Sequence, residues 1–520
     1  MKFFLLLKVL SLLRDCTSAQ SIQDTSGLTV QTQQGAVAGT HPVPSVRQFV
    51  GIPFASAKRW QAPQLPLTRK TVFQATKFSK GCLQNLAPVN FEYLKLNGND
   101  GTDVPSGEDC LSVNIWSPSV GRKQKTAVLL WIYGGGFVLG TSGIPVFNGT
   151  NMVRDNDDIT LVTINYRLNI FGQPNAPQLG KNNVNFGLLD TDAAIQWVHA
   201  NIANFGGDPE RITIFGQSAG GAAVDAYTFT HPQDTIVKGI IEQSGSFSGT
   251  ATGNDVVMTV SPTVNTDWNT IANIVGCGND TTPQQFACMQ AVPAQTLQKA
   301  VISSNASFFL VVDNTNERAR AGKFLRVPLL VGSTANEEDI IIVAQQLVSP
   351  GFVLPVVTEI FSDALTALAF TCNASVTAVN RLNAGVPTFR YQYQGVFPSL
   401  STRPDLRAYH SSEIPMIFGT YNSTVISGAS LPPTPPQVAL SKYIQSAWVA
   451  FARNPKQGLV DLGWPLYSPN TTSLAQLGGF FNQSGVVFGE ARLIDAACND
   501  ATVQAALSTA LAQTGPLLSG

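Results

Sequence analysis

A serine hydroxyl becomes a useful nucleophile only where the chain holds it exposed and sets a base beside it. Gly216-Gln217-Ser218-Ala219-Gly220 is the one G-x-S-x-G match in the 520 residues. It follows the strand-like run RITIFG and opens the helix-like run SAGGAAVDAYTF. A strand that turns straight into a helix leaves room only for small residues two positions either side of the turn, and it lifts the central side chain above the sheet. Ser218 is therefore the candidate nucleophile for attack at a carbonyl carbon.

The base is found by elimination, because the chain has only four histidines, His41, His199, His231 and His410. His199 falls in the helical run QWVHANI, His41 in an early strand-turn region, and His231 in a Pro-containing loop after the helix that follows Ser218. Only His410, in AYHSSEIPMIFG, comes late and after a strand-like run, FRYQYQ, as the chain order nucleophile, acid, histidine requires. The acid that orients the imidazole should leave a strand lying between the two. VPLLVG followed by STANEED offers Glu337, Glu338 and Asp339, and residue type alone does not choose among them. A developing oxyanion needs donors fixed before reaction, and backbone N–H groups serve. Gly134-Gly135-Gly136, after TAVLLWIY, brings bare backbone close to a substrate oxygen, and the N–H of Ala219 follows the nucleophile.

Strands and helices must alternate to hold these groups, and the pattern does. TAVLLWIY, DITLVTINY, RITIFG, VKGIIEQSG and VPLLVGS are apolar runs of strand length, while LLDTDAAIQWVHANIANF has helical periodicity and stops at Phe205-Gly206-Gly207-Asp208-Pro209. Continuous apolar strands separated by helices predict an α/β fold with a central, mostly parallel sheet covered by helices on both faces. Length alone suggests roughly two or three domains. No internal repeat or charged low-complexity block divides the chain, however, and the Pro-rich LPPTPP at 431–436 reads as the cap of the helix QVALSKYIQSAWVAFARNP. One domain over residues 20–520, with helical insertions, is the expectation.

Composition sets the compartment and the kind of partner. Basic and acidic residues balance, 32 against 33, which leaves no electrostatic footprint for nucleic acid or an anionic membrane. A neutral or apolar small molecule is the expected partner. Charged residues are only 12% of the chain, about half the globular average, so neutral polar surface or attached sugar must keep it in solution. Lys2, the apolar run FFLLLKVLSLL and Thr17-Ser18-Ala19 before Gln20 predict a secretory signal over residues 1–19. That run is too short for a membrane anchor and is broken by Lys8, and no later segment offers about 18 uninterrupted apolar residues. Loss of the signal removes Cys16 and leaves Cys82, Cys110, Cys277, Cys288, Cys372 and Cys498, an even set suited to bridges in an oxidising compartment. These cysteines show no C-x2-C or His-rich spacing, so no metal site and no cofactor is expected. Asn148, Asn279, Asn305, Asn373, Asn422, Asn470 and Asn482 head Asn-x-Ser/Thr acceptors for glycosylation.

Together FVGIPFA, RWQAPQ, SGEDCLSVNIWSP, WIYGGGF, FGLLDTDAAIQWVHANIANFGGDPERITIFGQSAGG, QSGS and HSSEIPMIFG make most of the chain resemble the type-B carboxylesterases, the family of carboxylesterases, cholinesterases and fungal lipases. The resemblance implies an α/β-hydrolase fold and an ester hydrolase with Ser218 as nucleophile, Glu337 as acid, His410 as base, and Gly135, Gly136 and Ala219 as oxyanion donors. It also implies the pairs Cys82–Cys110, Cys277–Cys288 and Cys372–Cys498. The first pair closes a loop carrying Phe91, Tyr93, Leu94 and Leu96 over the mouth of the site. No tryptophan stands between Cys82 and Cys110, where cholinesterases use one to receive a cation, so choline esters are disfavoured. Two departures stand out: the family's usual Glu before the serine is Gln217 here, and its usual Gly after the acid is Glu338. The sequence leaves esterase, interfacial lipase and sterol esterase open. A neuroligin-like adhesion protein on the same fold would lack the nucleophile and end in a membrane span.

Overall fold

The computed structural model describes residues 26–98, 105–180, 185–247, 266–304, 306–311, 315–351, 358–422, 426 and 431–499. The expected signal at 1–19, Cys16 and the acceptor Asn305 lie outside the described residues. A central sheet of eleven strands organises the rest. In chain order the strands are β1 (Thr40–Val43), β2 (Val46–Pro53), β3 (Ser112–Pro118), β4 (Thr126–Ile132), β5 (Ile159–Ile164) and β6 (Gly207–Gln217). They continue as β7 (Val237–Gln243), β8 (Leu329–Thr334), β9 (Thr388–Tyr393), β10 (Thr472–Leu477) and β11 (Val486–Glu490). Their order across the sheet is β11-β10-β9-β8-β7-β6-β4-β5-β3-β2-β1.

From β5 through β10 neighbouring strands run parallel, and antiparallel pairing is confined to the two margins. The inner strands β3, β4, β5, β8 and β9 are buried along their whole length, as a sheet covered on both faces demands. That burial explains why β4 and β5 read as near-continuous apolar runs rather than alternating ones.

The helices that cover the sheet or border the strand ends include α1 (Pro88–Leu96), α2 (Phe186–Asn201), α3 (Ala219–Thr230), α4 (Asp339–Val348), α5 (Cys372–Asn383), α6 (Ile414–Phe418) and α7 (Pro435–Arg453). Helix α3 opens with Ala219-Gly220-Gly221-Ala222-Ala223, small residues that let it lie close on β6 and β7, and α2 packs outside it. Helix α7 covers β4, β5 and β6 from the other side. LPPTPP does cap α7: the Thr434 hydroxyl accepts from the Gln437 N–H, and Pro435 and Pro436 occupy the first turn, where a missing N–H costs nothing. The run after α2 ends where expected, on Gly206 at φ 91°, in the left-handed region a glycine enters without strain. Disulfide bonds join Cys82 to Cys110, Cys277 to Cys288 and Cys372 to Cys498. No described helix is long and apolar enough to cross a membrane.

Candidate active site

All the groups singled out by sequence follow the carboxyl ends of parallel strands, where open α/β sheets bind their ligands. Gly134–Gly136 leave β4, Ser218 leaves β6, Glu337 leaves β8 and His410 lies in the connection after β9. The elbow is built from close contacts. Ser218 sits at φ 56° and ψ −125°, a conformation rare for any residue but glycine. A Cβ at Gly216 would stand 2.4 Å from the Gly220 backbone, and one at Gly220 would stand 1.9 Å from the Ile132 carbonyl. The strain is held by the Ser218 N–H, which donates to the Gln243 carbonyl of β7 at 2.7 Å, and by the α3 bond from the Ala222 N–H to the Ser218 carbonyl. Ser218 remains half-buried and reachable amid buried neighbours.

Of the three adjacent acids, Glu337 alone reaches the imidazole. Its Oε2 lies 2.5 Å from His410 Nδ1, its Oε1 accepts from the Thr334 N–H at 2.6 Å, and its carbonyl accepts from the His410 N–H at 3.2 Å. The carboxylate is wholly buried. Asp339 is occupied elsewhere, accepting from the Arg407 guanidinium at 2.8 and 2.9 Å and from the Ser362 hydroxyl at 2.5 Å. Acidic loops are generally solvated, yet Glu338 and Asp339 are both buried.

Burial therefore dominates the electrostatics. It pushes the Glu338 carboxyl up to about 7, against the pull of His410 and with the repulsion of Glu337 and Asp339. Glu413, immediately before α6, is likewise pushed to about 7 by burial and by Glu337, although the Gln243 side-chain amide donates to its Oε1 at 3.1 Å. For His410, burial opposes the charged form, but the field and hydrogen bond of Glu337, with the fields of Glu413 and Glu338, outweigh it and raise the imidazole. The Gln243 carbonyl oxygen of the side chain accepts from Trp448 Nε1–H at 3.1 Å. Gln243 thus ties α7, Glu413 and, through its backbone, Ser218 into one buried chain. The sequence motifs QSGS and HSSEIP contain Gln243 and Glu413, yet nothing local in them announces the contact.

The far side of the imidazole departs from expectation. His410 Nε2 is met by the side-chain amide of Gln217 at 2.9 Å, and no hydrogen bond joins His410 to Ser218. The N–H groups of Gly135, Gly136 and Ala219 donate to no group among the described residues, which leaves them free for an external oxygen. Beside them a cleft opens toward solvent. Leu94, Leu139, Ile144, Val146, Phe147 and Ile426 give it apolar walls, and Tyr93, Asn97, Ser411 and Gln217 supply its polar edge without a charged side chain. Tyr93 and Leu94 belong to the loop closed by Cys82–Cys110, so that loop does border the cleft, while Leu96 turns away to pack on Ile340 and Val343 of α4.

Residues 26–349 and 355–484 match the Carboxylesterase family. The chain belongs to that family. It is 32% identical to Secreted lipase 5 of Gibberella zeae over 94% of this chain and 97% of the relative, and 33% identical to the Chlorogenic acid esterase of Aspergillus niger over 86% and 87%. A solved PNB esterase superposes with a TM-score of 0.72 at 25% identity, covering 93% of this chain and 99% of that one. The fold is accordingly that of the α/β-hydrolases, and the protein is a carboxylic ester hydrolase of the type-B class. His41, His199 and His231 stand apart from the site in this esterase: His41 Nδ1 meets the Val46 carbonyl at 3.0 Å, His199 lies within α2, and His231 stacks on Tyr227 and pairs with Asp192.

Proposed function

We propose that the esterase cleaves its substrate through an acyl-enzyme on Ser218. His410 Nε2 takes the Ser218 proton as Oγ bonds to the ester carbonyl carbon, and Glu337 holds the imidazole through Nδ1 and balances its charge. The carbonyl oxygen becomes the oxyanion and is received by the N–H groups of Gly135, Gly136 and Ala219. Collapse breaks the bond to the alkoxy oxygen, which leaves as the alcohol with the proton from His410. Water, deprotonated by the same imidazole, then releases the acid and restores Ser218. The observation that carries this reading is the buried 2.5 Å contact between Glu337 and His410 beside the strained elbow and three unengaged N–H donors.

The cleft favours a neutral substrate. Its apolar walls suit an acyl or alkyl group, and among the described residues no charged side chain lines it. Secretion belongs to the same reading, with residues 1–19 removed and three bridges formed in an oxidising compartment. The test is the rate for p-nitrophenyl esters of increasing acyl length, with and without an emulsion interface. We expect kcat/KM to rise with chain length until the cleft is full and to show no jump at the interface. Activity confined to emulsified long-chain esters would replace this reading by that of an interfacial lipase or sterol esterase.

A further inference from the structure

Gln217 is the last residue of β6, buried, and aimed at the atom that the proposed chemistry uses. Its Nε2 is 2.9 Å from His410 Nε2, and a Cβ on Gly134 would lie 2.9 Å from its Oε1, so the amide is wedged between the glycine turn and the imidazole. Because His410 Nδ1 faces the Glu337 carboxylate at 2.5 Å, the ring proton of a neutral imidazole sits on Nδ1 and Nε2 carries the lone pair. The Gln217 amide must then donate. That lone pair is the acceptor the Ser218 hydroxyl also needs, and it serves one donor at a time.

An amide has a second use that a carboxylate lacks. When His410 is an imidazolium, Nε2 carries a proton, and a half-turn about the Gln217 Cγ–Cδ bond presents Oε1 to it. Glutamine therefore suits both protonation states, whereas glutamate accepts only and suits the charged one. The surroundings make this matter. Glu337 and Glu338 face the imidazole from the turn after β8 and Glu413 from the start of α6, with the phenols of Tyr93 on α1 and Tyr391 on β9 nearby; Asp339 is neutralised by Arg407.

We propose that Gln217 is a positioning residue for His410, which holds Nε2 of the neutral base in the free enzyme, fixes the Nδ1–H tautomer, and yields Nε2 to Ser218 as substrate fills the cleft. The inference rests on the assignment of Ser218 and His410 above. A carboxylate at position 217 would add a fourth acid around the ring and favour the imidazolium, so that a higher pH is needed before the base is free.

Two variants of the full-length secreted chain test it, Gln217→Glu and Gln217→Met, the second matching the shape without the donor. Gln217→Glu should move the acid limb of the kcat/KM profile for a p-nitrophenyl ester upward by about one pH unit, a loss of about tenfold at a pH below that limb. Gln217→Met should leave the limb in place while moving the ¹⁵N resonance of His410 Nε2 toward that of an unbonded nitrogen. With only four histidines in the chain, selective ¹⁵N-histidine labelling resolves that signal, and in the wild type it should report a hydrogen-bonded, unprotonated Nε2 and a protonated Nδ1. Gln217→Glu with an unmoved limb, or a wild-type Nε2 resonance identical to that of Gln217→Met, would overturn the proposal. Inactivity of Ser218→Ala keeps the underlying assignment standing in either case, so the two failures are distinguishable.

Discussion

Glu413 is an acid that the fold keeps neutral, and replacing it by glutamine should change how stability depends on pH. The residue is 2% exposed, one carboxyl oxygen accepts from Gln243, and the other has no partner among the described residues. Its folded-state pKa stands at about 7 against an ordinary 4.5. A group whose pKa is raised by folding contributes stability that is fully present below the unfolded value and is lost as pH rises through the folded one. At about 1.4 kcal/mol per pH unit, the loss attributable to Glu413 between pH 5 and 8 is about 2–3 kcal/mol. A glutamine amide in its place has nothing to ionise and mimics the protonated acid in shape. The stability of Glu413→Gln relative to wild type should therefore grow by about that amount between pH 5 and 8, with Glu338 supplying the slope that remains. Urea unfolding of both proteins at matched pH values measures it. Parallel stability curves would refute the argument, since they would mean that Glu413 is ionised at no cost or was never desolvated.

The site leads to three other expected outcomes. Glu337→Gln should lower kcat by about 10³ or more with little change in KM, whereas Glu338→Gln, which resembles a carboxyl already protonated below about 7, should cost less than about tenfold; reversal of the two would move the acid by one residue. Asp339→Asn should appear in stability rather than in turnover, by about 1–3 kcal/mol, because it weakens the contacts with Arg407 and Ser362. Non-reducing peptide mapping of protein recovered from the culture medium should find Cys82–Cys110, Cys277–Cys288 and Cys372–Cys498 with a mature N-terminus at or near Gln20, and sugar should be found first at the exposed Asn279, Asn422 and Asn470; a Cys82–Cys288 peptide would show a different connectivity.

What could be read from the residues was what is encoded locally. The strands β4 to β8 are short apolar runs because both of their faces are covered, and the G-x-S-x-G elbow shows itself because its steric demand falls within five consecutive residues. His410 was reachable because so few histidines compete. The carboxylate that meets its imidazole was not, because Glu337, Glu338 and Asp339 are alike in sequence and differ only in what comes to meet them: an imidazole 73 positions away for Glu337, and Arg407, 68 positions away, for Asp339. Burial of Glu338 contradicts the general habit of charged loops, and no periodicity marks it. The contact of Gln217 with His410 spans 193 positions, and that of Gln243 with Glu413 spans 170; such contacts exist only once the sheet has brought the strand ends together. The small strands Thr29–Thr32 and Gly35–Ala38, and the edge strand β11, carry no such signal because their pairing, rather than any apolar run, defines them.

The central claim is that Ser218 carries the acyl group, and one substitution addresses it most directly. Ser218→Ala should fold with the wild-type far-UV spectrum and lose about 10⁴-fold or more in kcat on a short p-nitrophenyl ester, keeping only the residual rate that binding and the oxyanion donors supply without an acyl-enzyme. An organophosphonate should label the wild type once, on the peptide containing Ser218, and leave the variant unlabelled. Turnover near the wild-type rate by folded Ser218→Ala would contradict the account, whatever the other residues do.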